Sequence, residues 1–146
     1  MMLVNIYKNF LVVRKYLTYI YQFCYTHLQF KITLTRMQIE FWPEDPDNPI
    51  FTDLNNLLGN KKEIGKYLNK LETYEKYPKH KLFSSQKIKK IENWPLHEIK
   101  IKHIRFLGDI FDDIFWIFTV EKKQGNKLTK SAFQRAVNIR DKFLDN

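Results

Sequence analysis

Between Leu96 and Leu144 the spacing of apolar residues changes once, and that change sets what this part of the chain can fold into. Ile99 and Ile101 alternate with Glu98, Lys100 and Lys102, which places the isoleucines on one side of a strand and the charges on the other. Two apolar runs follow, Ile104 to Phe111 and Ile114 to Val120, separated by Asp112-Asp113. They read as a hairpin, although Asp-Asp lacks the glycine that a tight primed turn prefers. Past Lys122, Lys123, Lys127 and Lys130 the period lengthens. Phe133, Ala136, Val137, Arg140 and Leu144 recur down one side of a helix that Thr129 can cap.

The residues upstream supply partners for that sheet. Gln38-Ile39-Glu40-Phe41-Trp42 alternates and stops at Pro43, as a first strand would. Glu44 to Pro49, with three acids, an Asn and two prolines, reads as a loop. Thr52 or Asp53 can cap a short helix carrying Leu54, Leu57 and Leu58, which Gly59 and Asn60 break. A second helix is predicted from about Lys61 to Tyr77, with Ile64, Leu68 and Leu71 at helical spacing, ended by Pro78. Lys79 to Pro95 reads as a basic connection. The expected order is β-α-α-β-β-β-α, a small α+β domain whose antiparallel-rich sheet packs against a helical hairpin and a C-terminal helix.

The chain has 146 residues, a net charge of +9 and 16% aromatics, which suits one domain with a real core. The basic balance favours polyanionic partners and says nothing of fold. Cys24 is the only cysteine, so no internal disulfide or cysteine-based zinc site can form, and a cytoplasmic protein is expected. His27, His80, His97 and His103 show no metal-ligand spacing, and neither GxGxxG nor GxxxxGK[ST] occurs. No metal and no cofactor are expected.

Residues 1–36 differ from the rest. They hold five Lys or Arg, eight aromatics and no acid, whereas all 16 acidic residues follow Met37. Their longest uncharged run, Tyr16 to Phe30, is 15 residues, short of the roughly 20 a spanning helix needs, so no stable membrane association is expected. The segment reads as an amphipathic helix, an added structural element, or upstream sequence ahead of a start at Met37. The last is favoured, because a domain can be read entirely within 37–146. That domain carries 20 Lys+Arg against 16 Asp+Glu, a net of +4.

The ordered set Leu96-His97-Glu98-Ile99-Lys100, Ile104-Arg105-Phe106, Val120-Glu121-Lys122-Lys123, Lys127 to Lys130, and Ala136 with Arg140 resembles RelE/HigB-type toxins of type II toxin–antitoxin modules, in their phage-derived HigB-like branch. The resemblance spans Met37 to Leu144 and is strongest over the last third. It implies a RelE-like fold and a ribosome-dependent endoribonuclease that cuts mRNA in the decoding site. It also implies neutralisation by an antitoxin, commonly a helix-turn-helix repressor in this branch.

RNA cleavage by 2′-hydroxyl attack gathers negative charge on phosphate oxygens, and cations held in place stabilise it. Arg grips two such oxygens and stays charged, which makes Arg105 the first choice. The resemblance adds Lys100 for acid–base or charge-stabilising work. Lys123, with Lys122, could hold the phosphate or protonate the leaving oxygen. Lys102, Lys127, Lys130 and Arg140 complete the expected RNA-binding set. Each has a plainer role open to it: Arg105 can pair with Asp109 or Glu98, and lysines commonly protect edge strands. His97 and His103 share the parity of Ile99 and Ile101, which points them toward the core. Glu98 stands where some relatives have a further lysine, and no tyrosine follows the last strand. Besides a membrane-associated protein built around residues 1–36, two other readings remain open. One is a ParE-like toxin acting on DNA gyrase. The other is a non-enzymatic RNA- or ribosome-binding module using Phe106, Phe111 and Trp116, since aromatics can hold single strands without cutting them.

Overall fold

The structure, a computed structural model, describes residues 36–44, 48–125 and 128–146. The expectations for residues 1–35 and for Lys127 lie outside the described residues. Arg36–Asn146 forms one unit. In chain order its elements are β1 (Gln38–Phe41), α1 (Pro49–Leu58), α2 (Lys61–Glu75), α3 (Lys79–Ser84), β2 (Ile88–Lys90), β3 (His97–Ile101), β4 (Ile104–Phe111), β5 (Ile114–Lys122) and α4 (Lys130–Leu144).

This is an α+β fold with a mixed sheet in the order β1-β5-β4-β3-β2. β2 to β5 run antiparallel to their neighbours, and β1 pairs parallel with β5. The expected order lacked two of these elements. The segment read as a basic connection holds the short helix α3 and the edge strand β2. Lys79 opens α3 directly after Pro78, and Ile88 is the one buried residue of β2. Its neighbours Lys89 and Lys90 are exposed, as suits a sheet edge.

Local chemistry explains the element ends. The side chain of Asn48, rather than Thr52 or Asp53, caps α1 by accepting from the Ile50 amide at 2.8 Å, and Pro49 takes the first helical position, where its missing N–H costs nothing. Gly59 adopts φ 72° at the end of α1, and Asn60 then caps α2 by accepting from Glu63 at 2.8 Å. α2 stops at Glu75, two residues before the expected Tyr77. Asp112 and Asp113 have φ of 51° and 63°, the positive pair that a primed two-residue hairpin turn requires. Thr129 caps α4, accepting from the Ala132 amide at 3.3 Å.

Two apolar layers sandwich the sheet. On one side Ile39, Ile99, Ile101, Ile104, Phe106, Phe115 and Ile117 pack with Ile50 and Leu54 of α1, Tyr67, Leu71 and Tyr74 of α2, and Leu82 of α3. On the other, Leu107 and Phe118 pack with Ala136, joined by Trp42, Trp94, Trp116, Phe133 and Phe143. Phe143 is the hub of that aromatic layer, its ring centroid 5.2–5.8 Å from those of Phe111, Trp116, Phe118 and Trp42. Leu144, expected on this face, is 50% exposed, because the helix presents Phe143 there instead. A register shift at Leu107/Gly108 lets Phe118 and Thr119 both turn inward. No described helix is long and apolar enough to cross a membrane.

Candidate functional site

α4 packs on β4 and β5 but leaves the β3–β2 end of its face open. That end carries the polar residues of the alternating strand. In the register of the sheet Lys89 lies opposite Glu98, Lys100 opposite Arg105, and Arg105 in turn opposite Glu121. Like charges directly opposite one another destabilise a sheet, so the Lys100–Arg105 pair is a local cost. Lys89, Lys90, Glu98, Lys100, Arg105 and Lys123 line one cleft of ≈ 480 Å³, with Leu128 and Phe133 from the α4 side. The three residues expected to be catalytic, Lys100, Arg105 and Lys123, therefore border one cleft.

Their surroundings differ. Arg105 is 5% exposed, and its Nη1 donates to the carbonyls of Lys102 and Ile104 at 2.8 and 3.0 Å. Its Nε lies 3.6 Å from Glu98 Oε2. Among the described residues no hydrogen bond engages its Nη2. The guanidinium is thus fixed, with donor capacity left over. Lys100 is exposed and mobile by its chemistry, a flexible stem ending in a point charge. Lys123 follows β5, and its amide donates to the carbonyl of His103 at 2.8 Å, which ties the strand end to the β3–β4 turn.

The other expected RNA-binding residues go elsewhere. Lys102 takes φ 51° in the β3–β4 turn, leaves the strand's alternation, and lines a separate depression of ≈ 350 Å³ with Lys66, Tyr67, Lys70 and Tyr74 on the opposite side of the sheet. Lys122 lies opposite Ile104 and is exposed, outside the cleft wall. Lys130 is the exposed first residue of α4. Arg140 is held at the core: its Nε donates to Asp109 Oδ2 at 2.8 Å and its guanidinium lies 5.6 Å from the centre of the Phe111 ring.

Asp109 also meets His97 Nδ1 at 3.0 Å and accepts from the Ile110 amide at 2.9 Å. Burial alone would raise its pKa. The hydrogen bonds from His97, Arg140 and Ile110, with the Arg140 charge, outweigh burial and hold the carboxyl below its ordinary value. Asp109 therefore welds α4 to the sheet. Of the two acids open to Arg105 in the sequence, Glu98 is its partner. His97 follows its parity and packs edge-on against Phe83 of α3, whereas His103, past the turn at Lys102, is exposed beside Tyr67 of α2. Phe106 is fully buried and cannot serve as a stacking platform, while Phe111 and Trp116 are partly buried and pack against Phe143 on the α4 face, away from the cationic cleft.

Sequence reasoning placed Glu98 on the lysine side of β3 and offered it as a partner for Arg105, but gave it no chemical role. Here it is a carboxylate lining a cationic cleft beside a fixed arginine. It also overlooked Lys89 and Lys90, because β2 has too few apolar residues to show a strand period. Comparisons with protein-family models, curated proteins and solved structures found no match.

Proposed function

We propose that this chain is the toxin of a RelE/HigB-type module, with a RelE-like fold, and that it cleaves mRNA on the ribosome without a metal. The observation that carries the reading is the cleft: Lys100, Arg105 and Lys123 line it together with one carboxylate beside the arginine, Glu98. These are the group types that phosphodiester transfer needs. Glu98 takes the proton of the ribose 2′-hydroxyl. The 2′-oxygen bonds to phosphorus as the bond to the 5′-oxygen breaks. Arg105 and Lys100 stabilise the charge on the phosphoryl oxygens, and Lys123 gives a proton to the leaving oxygen. The products are a 2′,3′-cyclic phosphate and a 5′-hydroxyl. Lys89 and Lys90 extend the cationic wall along the strand. The expected partners are mRNA on the ribosome and a cognate antitoxin of helix-turn-helix type.

A second reading has its own support. Arg105 is buried and its Nη1 is spent on two backbone carbonyls, which leaves the exposed lysines of the cleft to hold RNA by charge without a catalytic cation at the phosphate. The test is induced expression of the chain, wild type beside a Lys100→Ala, Lys123→Ala double variant, with cellular mRNA ends mapped. New cuts within translated codons, lost in the double variant, are the expected result. RNA crosslinking without cuts selects the binding module. Growth arrest without cuts and unchanged in the double variant selects a protein target such as gyrase.

A further inference from the structure

We propose that Trp94 and Phe133 form a wall on which a nucleobase stacks beside the phosphate held by the cleft, an inference that rests on the RNA reading above. Trp94 stands on the loop between β2 and β3, and Phe133 on the first turn of α4. Their ring centroids are 5.4 Å apart with the planes tilted by 38°. Both rings are half-buried, unlike Phe106, Phe115 and Phe118, which are sealed within the sandwich. Phe133 lines the cationic cleft itself. Trp94 lines an adjoining depression of ≈ 480 Å³, and the two share Lys90, Ile91, Glu92 and Asn93. Aromatic faces and cations therefore border two adjoining depressions that meet along Lys90 to Asn93.

The chemistry of these depressions specifies their occupant. Phosphate contacts fix position but carry no information about the base. An aromatic wall adds affinity for any base whose face is free, as in single-stranded RNA, and none for a base already stacked in a duplex. The amides of Gln86 and Asn93 line the cleft and can both donate and accept along a base edge, and the Glu92 carboxylate can accept. Asn93 sits at φ 63°, a conformation that Asn tolerates better than most residues and that shapes the loop carrying Trp94. The ligand class is an unpaired nucleotide, with its base against Trp94–Phe133 and its phosphate toward Lys100 and Lys123.

The test compares two strands of equal length and charge binding to the full chain: a short 2′-O-methyl RNA, which lacks the attacking hydroxyl, and a fully abasic analogue. Fluorescence anisotropy of an end label reads affinity. The base-bearing strand is expected to bind about tenfold more tightly, as one stacked base provides. Phe133→Leu and Trp94→Leu each shrink that gap, Phe133→Tyr keeps it, and Lys100→Ala with Lys123→Ala weakens both strands alike. Equal affinity for the two strands in the wild type overturns the stacking wall and leaves the cationic cleft standing. A gap that survives both leucine variants also overturns it. Binding of neither strand overturns the wall, while the mapping of mRNA ends in cells decides the ribosome-dependent reading separately.

Discussion

On the side of β3 facing the helical hairpin, Ile99 and Ile101 are buried, and α1, α2 and α3 together cover the sheet from β1 to β2. On the other side of the same strand Lys100 is exposed and Glu98 keeps part of its side chain open to the cleft, because the single helix α4 packs mainly on β4 and β5. One face is finished as a core and the other stops halfway. The difference shows how a small domain makes a charged site without a separate module. It withholds one helix's worth of cover from a strand whose alternation already points its cations that way. The closed face supplies stability, each fully buried Ile or Leu adding about 1.5–3 kcal/mol. The open face carries costs, including two cations directly opposite each other in register.

Both faces depend on the register of β4 with β5, so breaking it should abolish the contrast. A Cβ added at Gly108 would lie 1.9 Å from the carbonyl oxygen of Trp116 and 2.6 Å from the Phe115 ring. Gly108→Ala is expected to cost about 3 kcal/mol or more, read as a large loss in chemical-denaturation midpoint.

Asp109→Ala strikes the half-covered face alone. It frees Arg140 and His97, and is expected to cost about 2 kcal/mol and to expose the Phe143 layer to dye binding. Because the folded carboxyl titrates below its unfolded value near 3.8, its contribution is fully present above about pH 4. That contribution is lost as the pH falls through the lower folded value. Wild type and the alanine variant should therefore converge in stability in acid, as thermal melts across pH 2–7 would show; a constant gap across that range contradicts the role given to Asp109.

The smallest change sharpens the comparison most. Lys100→Thr removes the like-charge opposition to Arg105 and places a β-branched residue on a strand. Stability should rise by about 0.5 kcal/mol while affinity for RNA falls. A variant that gains neither stability nor loses binding would make Lys100 a solvated surface residue.

The sequence made some of this legible. The parity of β3 was readable because two isoleucines alternate with three charges, and that parity sends Lys100 to the open side. Lys102 belongs to the same alternation on paper. It is diverted because the turn places it at positive φ, and no sequence period encodes that. β2 escaped notice because three residues with one apolar position carry no period, and α3 because six residues are too few for one. The start of α1 was readable but passed over, since Asn48-Pro49 pairs a capping side chain with a proline suited to the first turn. Glu98 was legible in position and as a partner for Arg105, but its place in a cleft with Lys100 and Lys123 emerges only from the fold.

The parallel pairing of β1 with β5 has a consequence for how the chain reaches this state. Gln38 meets Ile114 across more than half of the sequence, whereas β2 through β5 pair with near neighbours. Local pairings form fast and distant ones wait on loop closure. On a translating ribosome β1 emerges before every strand it could join, and its partner is the last to be made. The meander and α4 can assemble first, leaving Met37 and Ile39 to dock late. The edge of β5 is therefore the point at which a partly folded chain stays open longest, and where another extended segment could compete for it.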